Sequence, residues 1–411
     1  MDWTTNLKKM LANATPLVQR GALSEATQAI QNALNGMTTP AMRQATQATQ
    51  PTGTTTPQAE HATAAPGGQR TFHGTAGLDQ TVQDIDFVDI PNPAARGTDA
   101  APSNEHKPSH PPVQGSFRRV AFQSGFHAPQ DHYWLYTPAG STSSHSEPRP
   151  LVLMLHGCTQ NPQDFAIGTG MNEAADAANA LVLYPAQPQA ANPNGCWNWF
   201  RPQDQARDSG ELATLVAMVR EVMAQHAVDE RRVYVAGLSA GGAMAALLAR
   251  EYPDLFAAAG VHSGLQAGAA HDVMSALSAM KSGAKSPAGR RGRSTATAST
   301  AVPLIVFHGD ADSTVNARNA EQIIDSAIAN APTIAHEVLQ GQSSNGQRYT
   351  RTTYRHATDP TTVAEQWVLH GAGHAWAGGD ARGSYTDPRG VSASQEMLRF
   401  FLEHPRQKPI H

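Results

Sequence analysis

Val233-Tyr234-Val235-Ala236-Gly237-Leu238-Ser239-Ala240-Gly241-Gly242-Ala243-Met244-Ala245-Ala246-Leu247-Leu248-Ala249-Arg250 decides the fold. Its first four residues are β-branched, aromatic or small and read as a buried strand. Residues 242–250 are rich in Ala and Leu and read as a helix. Between them stands G-x-S-x-G. A strand-to-helix turn this tight tolerates only small side chains beside the serine. It lifts the serine oxygen clear of the sheet and points the next N–H, that of Ala240, at the place where negative charge would develop. The five-residue pattern by itself recurs by chance in Gly- and Ala-rich loops. Its flanks give it meaning.

Outward from this turn, strand and helix signals alternate. Residues 117–122 and 133–136 read as leading antiparallel strands, and Leu151-Val152-Leu153-Met154-Leu155 is an apolar run expected of a strand buried on both faces. A helix is expected over 171–180 and a strand over 181–184. Asp208-Ser209-Gly210-Glu211 resembles a capping box, opening a helix with Leu212, Leu215, Val216, Val219 and Val222 in one apolar stripe. After the serine turn come a strand at 304–307, a helix at 319–329 with Ile323, Ile324 and Ile328 inward, a strand at 363–369 and a closing helix at 394–403. Alternating β and α elements imply an α/β protein with a mostly parallel, doubly wound sheet.

On such a sheet the chemistry belongs at the carboxyl ends of the strands. His308-Gly309-Asp310-Ala311-Asp312 follows the 304–307 strand, and His370-Gly371-Ala372-Gly373-His374-Ala375-Trp376 follows the 363–369 strand. Serine, then acid, then histidine is the chain order of α/β-hydrolases. A serine hydroxyl is a poor nucleophile at neutral pH. It needs a neutral imidazole to take its proton, and the imidazole needs a carboxylate to fix its tautomer. Ser239, Asp312 and His374 are the candidates for these roles. Asp310 follows its strand so closely that it is expected to bond the loop backbone. His370 is expected to be structural, and His262 to lie in the core or behind the reacting groups.

A tetrahedral intermediate also needs two preorganised N–H donors. Ala240 N–H supplies one. Leu155-His156-Gly157-Cys158-Thr159-Gln160 follows an early strand, and Cys158 N–H is the candidate for the other. Cys158 as nucleophile would need a base of its own, and the complete serine set argues against it. The chain has 2 cysteines, Cys158 and Cys196, which form one bridge or remain two small buried thiols. No metal-ligand cluster, phosphate-binding glycine loop or dinucleotide fingerprint occurs, so no cofactor is implied.

The 411 residues leave room for one large α/β domain plus extra segments, and a formal net charge of −4 gives no reason to expect nucleic acid as a partner. Residues 1–36 read as two short helices, too few to bury a core alone. Residues 37–114 read as a low-complexity, mostly disordered linker, and the catalytic domain is expected over 115–405. A second flexible stretch, about 281–301, reads as a solvated loop. No transmembrane segment is expected, and the first residues lack the order of an export signal, so the cytoplasm is the expected location.

The segments Leu155–Gln160, Asn194-Gly195-Cys196-Trp197-Asn198-Trp199-Phe200, Gly237–Gly242 and His374-Ala375-Trp376 together look like the polyhydroxybutyrate (PHB) depolymerase family of esterases. More narrowly they resemble the group whose oxyanion loop precedes the serine. The resemblance implies a serine esterase that cleaves short-chain poly(3-hydroxyalkanoate) or 3-hydroxybutyrate esters through an acyl-enzyme. It matches Ser239, Asp312 and His374 to the triad, and His156 and Cys158 to the oxyanion region. It also implies substrate contacts from Trp197, Trp199 and Trp376, with at least one of the first two lining the cleft. The same scaffold resembles feruloyl and acetyl-xylan esterases, so carbohydrate esters are an alternative. A granule-binding protein with a vestigial hydrolase domain is a third reading, against which the intact triad argues. Secreted family members usually carry an export signal and a separate substrate-binding domain. Neither is read here, although the extracellular space remains the alternative location. Residues 1–36 are expected to dock on the catalytic domain, a second copy or an apolar surface, and in place of a binding domain the hypothesis is docking on a polymer granule.

Overall fold

A computed structural model describes residues 115–123, 129–139, 147–284, 302–329, 333–357 and 361–407. The helical segment and linker expected over 1–114, and nearly all of the loop expected at 281–301, lie outside the described residues. In chain order the strands leading to the serine are β1 (Ser116–Ala121), β2 (His132–Thr137), β3 (Arg149–Leu155), β4 (Leu181–Pro185) and β5 (Val228–Leu238). Beyond it come β6 (Ala258–His262), β7 (Leu304–Gly309), β8 (Ile334–Gln342), β9 (Arg348–His356) and β10 (Thr362–Leu369). They form one sheet in the order β1-β2-β4-β3-β5-β6-β7-β10-β9-β8. β4, β3, β5, β6, β7 and β10 run parallel, whereas β2 is antiparallel to both β1 and β4. This is the α/β-hydrolase fold, and the central parallel strands aim their carboxyl ends at one edge.

Helices cover both faces. α1 (Pro162–Thr169), α2 (Met171–Ala177) and α7 (Ala393–Glu403) pack Phe165, Met171, Met397, Phe400 and Phe401 on one face. α3 (Gly210–Gln225) and α4 (Ala240–Glu251) cover the other, where Leu212, Leu215, Val216, Val219 and Val222 form the expected stripe. Each such side chain removed from water contributes about 1.5–3 kcal/mol. Every residue of β3 is buried, as its unbroken apolar run requires. α5 (Val273–Ser282) precedes β7, and α6 (Arg318–Ile328) buries Ile323 and Ile324 against β7 and β10.

Two local expectations are corrected. The start of α3 is no capping box. Ser209 is the N-cap but makes no side-chain cap bond, and its hydroxyl donates to Gln203 O instead (2.7 Å). Asp204 Oδ1 takes the Glu211 N–H (2.8 Å) and so satisfies the helix end. Gly210 has φ +54°, and a Cβ there would overlap the Asp204 carboxylate. The second correction is the β8–β9 hairpin, which extends the sheet antiparallel beyond β10 and breaks strict alternation. Its strands, Ile334–Gln342 and Arg348–His356, are half-exposed and rich in Gln, Thr and Arg, so they lack an apolar run.

Candidate active site

Ser239 sits at the end of β5 with φ +58° and ψ −116°, a conformation costing a non-glycine residue on the order of 1–3 kcal/mol. The surroundings impose it. Ser239 N donates to His262 O at the end of β6 (2.9 Å), and Ser239 O accepts from Ala243 N in α4 (2.9 Å). The two motif glycines are steric requirements. A Cβ on Gly241 would overlap the Leu155 carbonyl, and one on Gly237 would overlap the Gly241 backbone. Sheet and helix therefore approach closely enough to hold the serine on a sharp bend.

Asp312 and His374, from the loops after β7 and β10, meet as His374 Nδ1 to Asp312 Oδ2 at 2.7 Å. The other carboxylate oxygen accepts the Thr314 and Val315 N–H groups at 2.9 and 2.8 Å. Burial opposes the Asp312 charge. Hydrogen bonding from His308, His374 and the Val315 N–H outweighs it and holds the carboxyl well below the usual carboxylate range. His308 Nε2 lies 3.5 Å from Asp312 Oδ2, but its shorter contact is the Val315 carbonyl at 2.8 Å. With Nδ1 committed to Asp312, His374 leaves Nε2 as its free nitrogen. No hydrogen bond joins it to Ser239 Oγ among the described residues. Such bonds tighten when substrate binds.

The rival residues are occupied elsewhere. Asp310 accepts from Gly371 N (2.6 Å) and pairs with His370 Nδ1 (2.9 Å), and His370 Nε2 meets Thr350 Oγ1 (2.8 Å). Both ring nitrogens of His370 are therefore taken. His262 is fully buried, stacked between Phe307 and Trp376, and its Nε2 accepts Ala377 N (3.1 Å). Burial, followed by the neighbouring His308 and His374, pushes its pKa down to about 3 and keeps the ring neutral.

The Leu155–Gln160 loop abuts the serine: a Cβ built on Gly157 would lie 3.7 Å from Ser239 Cβ. Neither Ala240 N–H nor Cys158 N–H has a protein acceptor among the described residues. Both ring nitrogens of His156 are engaged within the protein. Its Nδ1 donates to Gly157 O (2.8 Å), its Nε2 accepts Gln187 N (3.3 Å), and burial lowers its pKa to about 4. The imidazole braces the loop from behind.

Cys158 and Cys196 are joined as a disulfide, tying this loop to the tryptophan segment. Thr159 N donates to Asn194 O (2.7 Å), and Trp197 Nε1 donates to His156 O (3.1 Å). Here the expected tryptophan contacts are corrected. Trp197, Trp199 and Trp376 are 0%, 5% and 1% exposed and present no face to a substrate. Trp197 and Trp199 join the core under α3 and α4, while Trp376 stacks on His262 and donates to Ser394 Oγ (3.1 Å). Indoles of this size stabilise most when wholly desolvated with the N–H satisfied.

Sequence reasoning missed the group that anchors this arrangement. Glu211 Oε2 accepts Asn198 N (2.8 Å), and Oε1 accepts Asn198 Nδ2 and Gln187 Nε2, both at 2.5 Å. Gln187 Nε2 also reaches Cys196 O (3.0 Å). Among the described residues no cation pairs with Glu211, and burial pushes its pKa up to about 7. Its position at a helix start suggested a cap, and nothing local marks it as an inward anchor.

Residues 131–335 match the family model described as esterase PHB depolymerase. Poly(3-hydroxyalkanoate) depolymerase C of Paucimonas lemoignei is 34% identical over 246 residues, covering 54% of this chain and 59% of that protein. Poly(3-hydroxybutyrate) depolymerase of Ralstonia pickettii is 35% identical over 139 residues, 32% of this chain and 28% of that protein. Feruloyl esterase B of Thermothelomyces thermophilus is 34% identical over 128 residues, 31% of this chain and 43% of that protein. The chain thus spans between about a quarter and three-fifths of the length of these relatives. A serine turn between β5 and α4, an acid–histidine pair after β7 and β10, and these matches agree: the chain belongs to the PHB depolymerase family of α/β-hydrolase esterases.

Proposed function

We propose that the protein is a serine esterase cleaving short-chain poly(3-hydroxyalkanoate) and 3-hydroxybutyrate ester bonds. The observation that carries this reading is the 2.7 Å Asp312–His374 bond on the same sheet edge as the strained Ser239 turn. Ser239 Oγ attacks the ester carbonyl as His374 Nε2 takes its proton. Ala240 N–H and Cys158 N–H stabilise the oxyanion, and Asp312 holds the imidazolium in place. Collapse expels the alcohol, which receives the proton from His374 Nε2, and leaves an acyl-Ser239 ester. Water, deprotonated by the same nitrogen, hydrolyses it.

The polyester substrate is supported by the two depolymerase relatives. A carbohydrate ester is the second reading, supported by 34% identity to feruloyl esterase B over a shorter stretch. A hydrolysis panel of amorphous polyhydroxybutyrate, 3-hydroxybutyrate oligomers, p-nitrophenyl esters and methyl ferulate separates them, with Ser239→Ala as the control. Retained activity in that variant overturns the mechanism. Preference for methyl ferulate overturns the polyester reading.

No described helix is long and apolar enough to cross a membrane. The Cys158–Cys196 bond favours an oxidising compartment over the cytoplasm expected from the first residues. Docking of residues 1–36 on a polymer granule remains part of the proposal.

A further inference from the structure

Tyr385 is an exposed aromatic side chain beside the candidate base. Its ring centroid lies 6.5 Å from that of His374 in a T-shaped arrangement, and its hydroxyl lies 3.2 Å from Thr159 Oγ1. Thr159 Oγ1 donates to Cys158 O (2.6 Å), so the proton between the two hydroxyls comes from Tyr385. The phenol therefore spans the opening from the base to the residue after the candidate oxyanion donor. It is 47% exposed, so one face is open to whatever enters.

Its position is built. Tyr385 has φ +53°, a left-handed conformation that an aromatic residue rarely adopts. Tyr385 O accepts Trp376 N (2.7 Å), and the preceding Ser384 N donates to Asp164 Oδ1 (2.9 Å). Gln160 Nε2 reaches Ser384 O (3.0 Å) while Gln160 Oε1 accepts Gly157 N (2.9 Å). One glutamine thus couples the Tyr385 loop to the loop behind the serine. Strain held in place by its surroundings clusters where a side chain must be presented to a ligand.

We propose that Tyr385, with Thr159, forms a contact subsite for the ester group next to the scissile one. The proposal rests on the polyester reading above. A polyester differs from a simple ester in carrying another carbonyl a few bonds away. The Tyr385 O–H turns from Thr159 Oγ1 to that carbonyl oxygen and water takes its place on the exposed threonine hydroxyl, so without the phenol the desolvated carbonyl is left without a donor.

The test compares kcat/KM for a 3-hydroxybutyrate trimer with that for p-nitrophenyl butyrate, which lacks a second ester. In Tyr385→Phe the trimer-to-monoester ratio is expected to fall roughly three- to tenfold, the size of one neutral hydrogen bond, with the loss in KM. A ratio within a factor of two of wild type overturns the subsite while leaving the polyester reading intact. Tyr385→Ala lowering kcat on both substrates equally, with the ratio unchanged, marks a structural role and also overturns it. Wild-type protein that cleaves p-nitrophenyl butyrate but not the trimer overturns the polyester reading, and the subsite with it.

Discussion

His374 Nδ1 stands 2.7 Å from Asp312 Oδ2, while Asp310, two residues earlier in the same loop, is bound to His370. Two acid–histidine pairs thus lie side by side, and only one has a free imidazole nitrogen. Asp312→Asn is expected to lower kcat by about 10³–10⁴, because the amide stabilises the wrong tautomer. Asp310→Asn is expected to stay within about fivefold of wild type, since exposed pairs of this kind contribute at most about 1 kcal/mol. Steady-state kinetics on p-nitrophenyl butyrate checks both. Equal losses would mean the acid has been misassigned.

The Cys158–Cys196 bond closes a loop across 38 residues and clamps the segment that carries one candidate oxyanion donor. Chain-entropy arguments put its stabilisation at about 4 kcal/mol. Cys196→Ser should lower the denaturation midpoint accordingly and reduce kcat more than KM, because a loosened N–H serves the transition state most. Unfolding curves superimposable on wild type would refute this.

Glu211 is a buried acid whose pKa rises to about 7 from the ordinary 4.5. The folded state therefore holds a proton that the unfolded chain has released across that window. Stability falls as pH rises from about 4.5 to 7, and the cost of ionisation is fully present above it. Glu211→Gln removes this titration. Its melting temperature should lose the corresponding part of the pH slope over that interval. Parallel slopes for variant and wild type would show that Glu211 does not titrate there.

Gly241→Ala places a methyl group against the Leu155 and His156 carbonyls, both backbone atoms of a buried loop. The expected result is loss of esterase activity together with destabilisation of about 2 kcal/mol or more. Wild-type kinetics in this variant would show that the turn has room the geometry denies.

Deletion of residues 1–70 tests granule docking. Co-sedimentation with native polymer granules is expected to disappear while hydrolysis of a soluble short-chain ester persists. Unchanged sedimentation counts against docking by this segment.

Much of the framework is legible in sequence because it depends on local pattern. The apolar run Leu151–Leu155 has to be covered on both faces, and strand–turn–helix around Ser239 follows from residue size and propensity. Distance from the strand ends then ranks Asp312 above Asp310 and His374 above His370, since all four fit the serine–acid–histidine order. What tertiary structure alone decided is which polar and aromatic groups face one another. Trp197 and Trp199 look like cleft residues along the chain, yet the disulfide and Glu211 draw their segment into the core. Glu211 resembles a helix cap until Gln187 and Asn198 come to it from elsewhere in the fold. Tyr385 stands in an ordinary polar loop, and only folding brings its hydroxyl to Thr159, 226 positions away. Propensity and periodicity act over a few residues. Burial and hydrogen-bond pairing between distant segments are set when the chain packs.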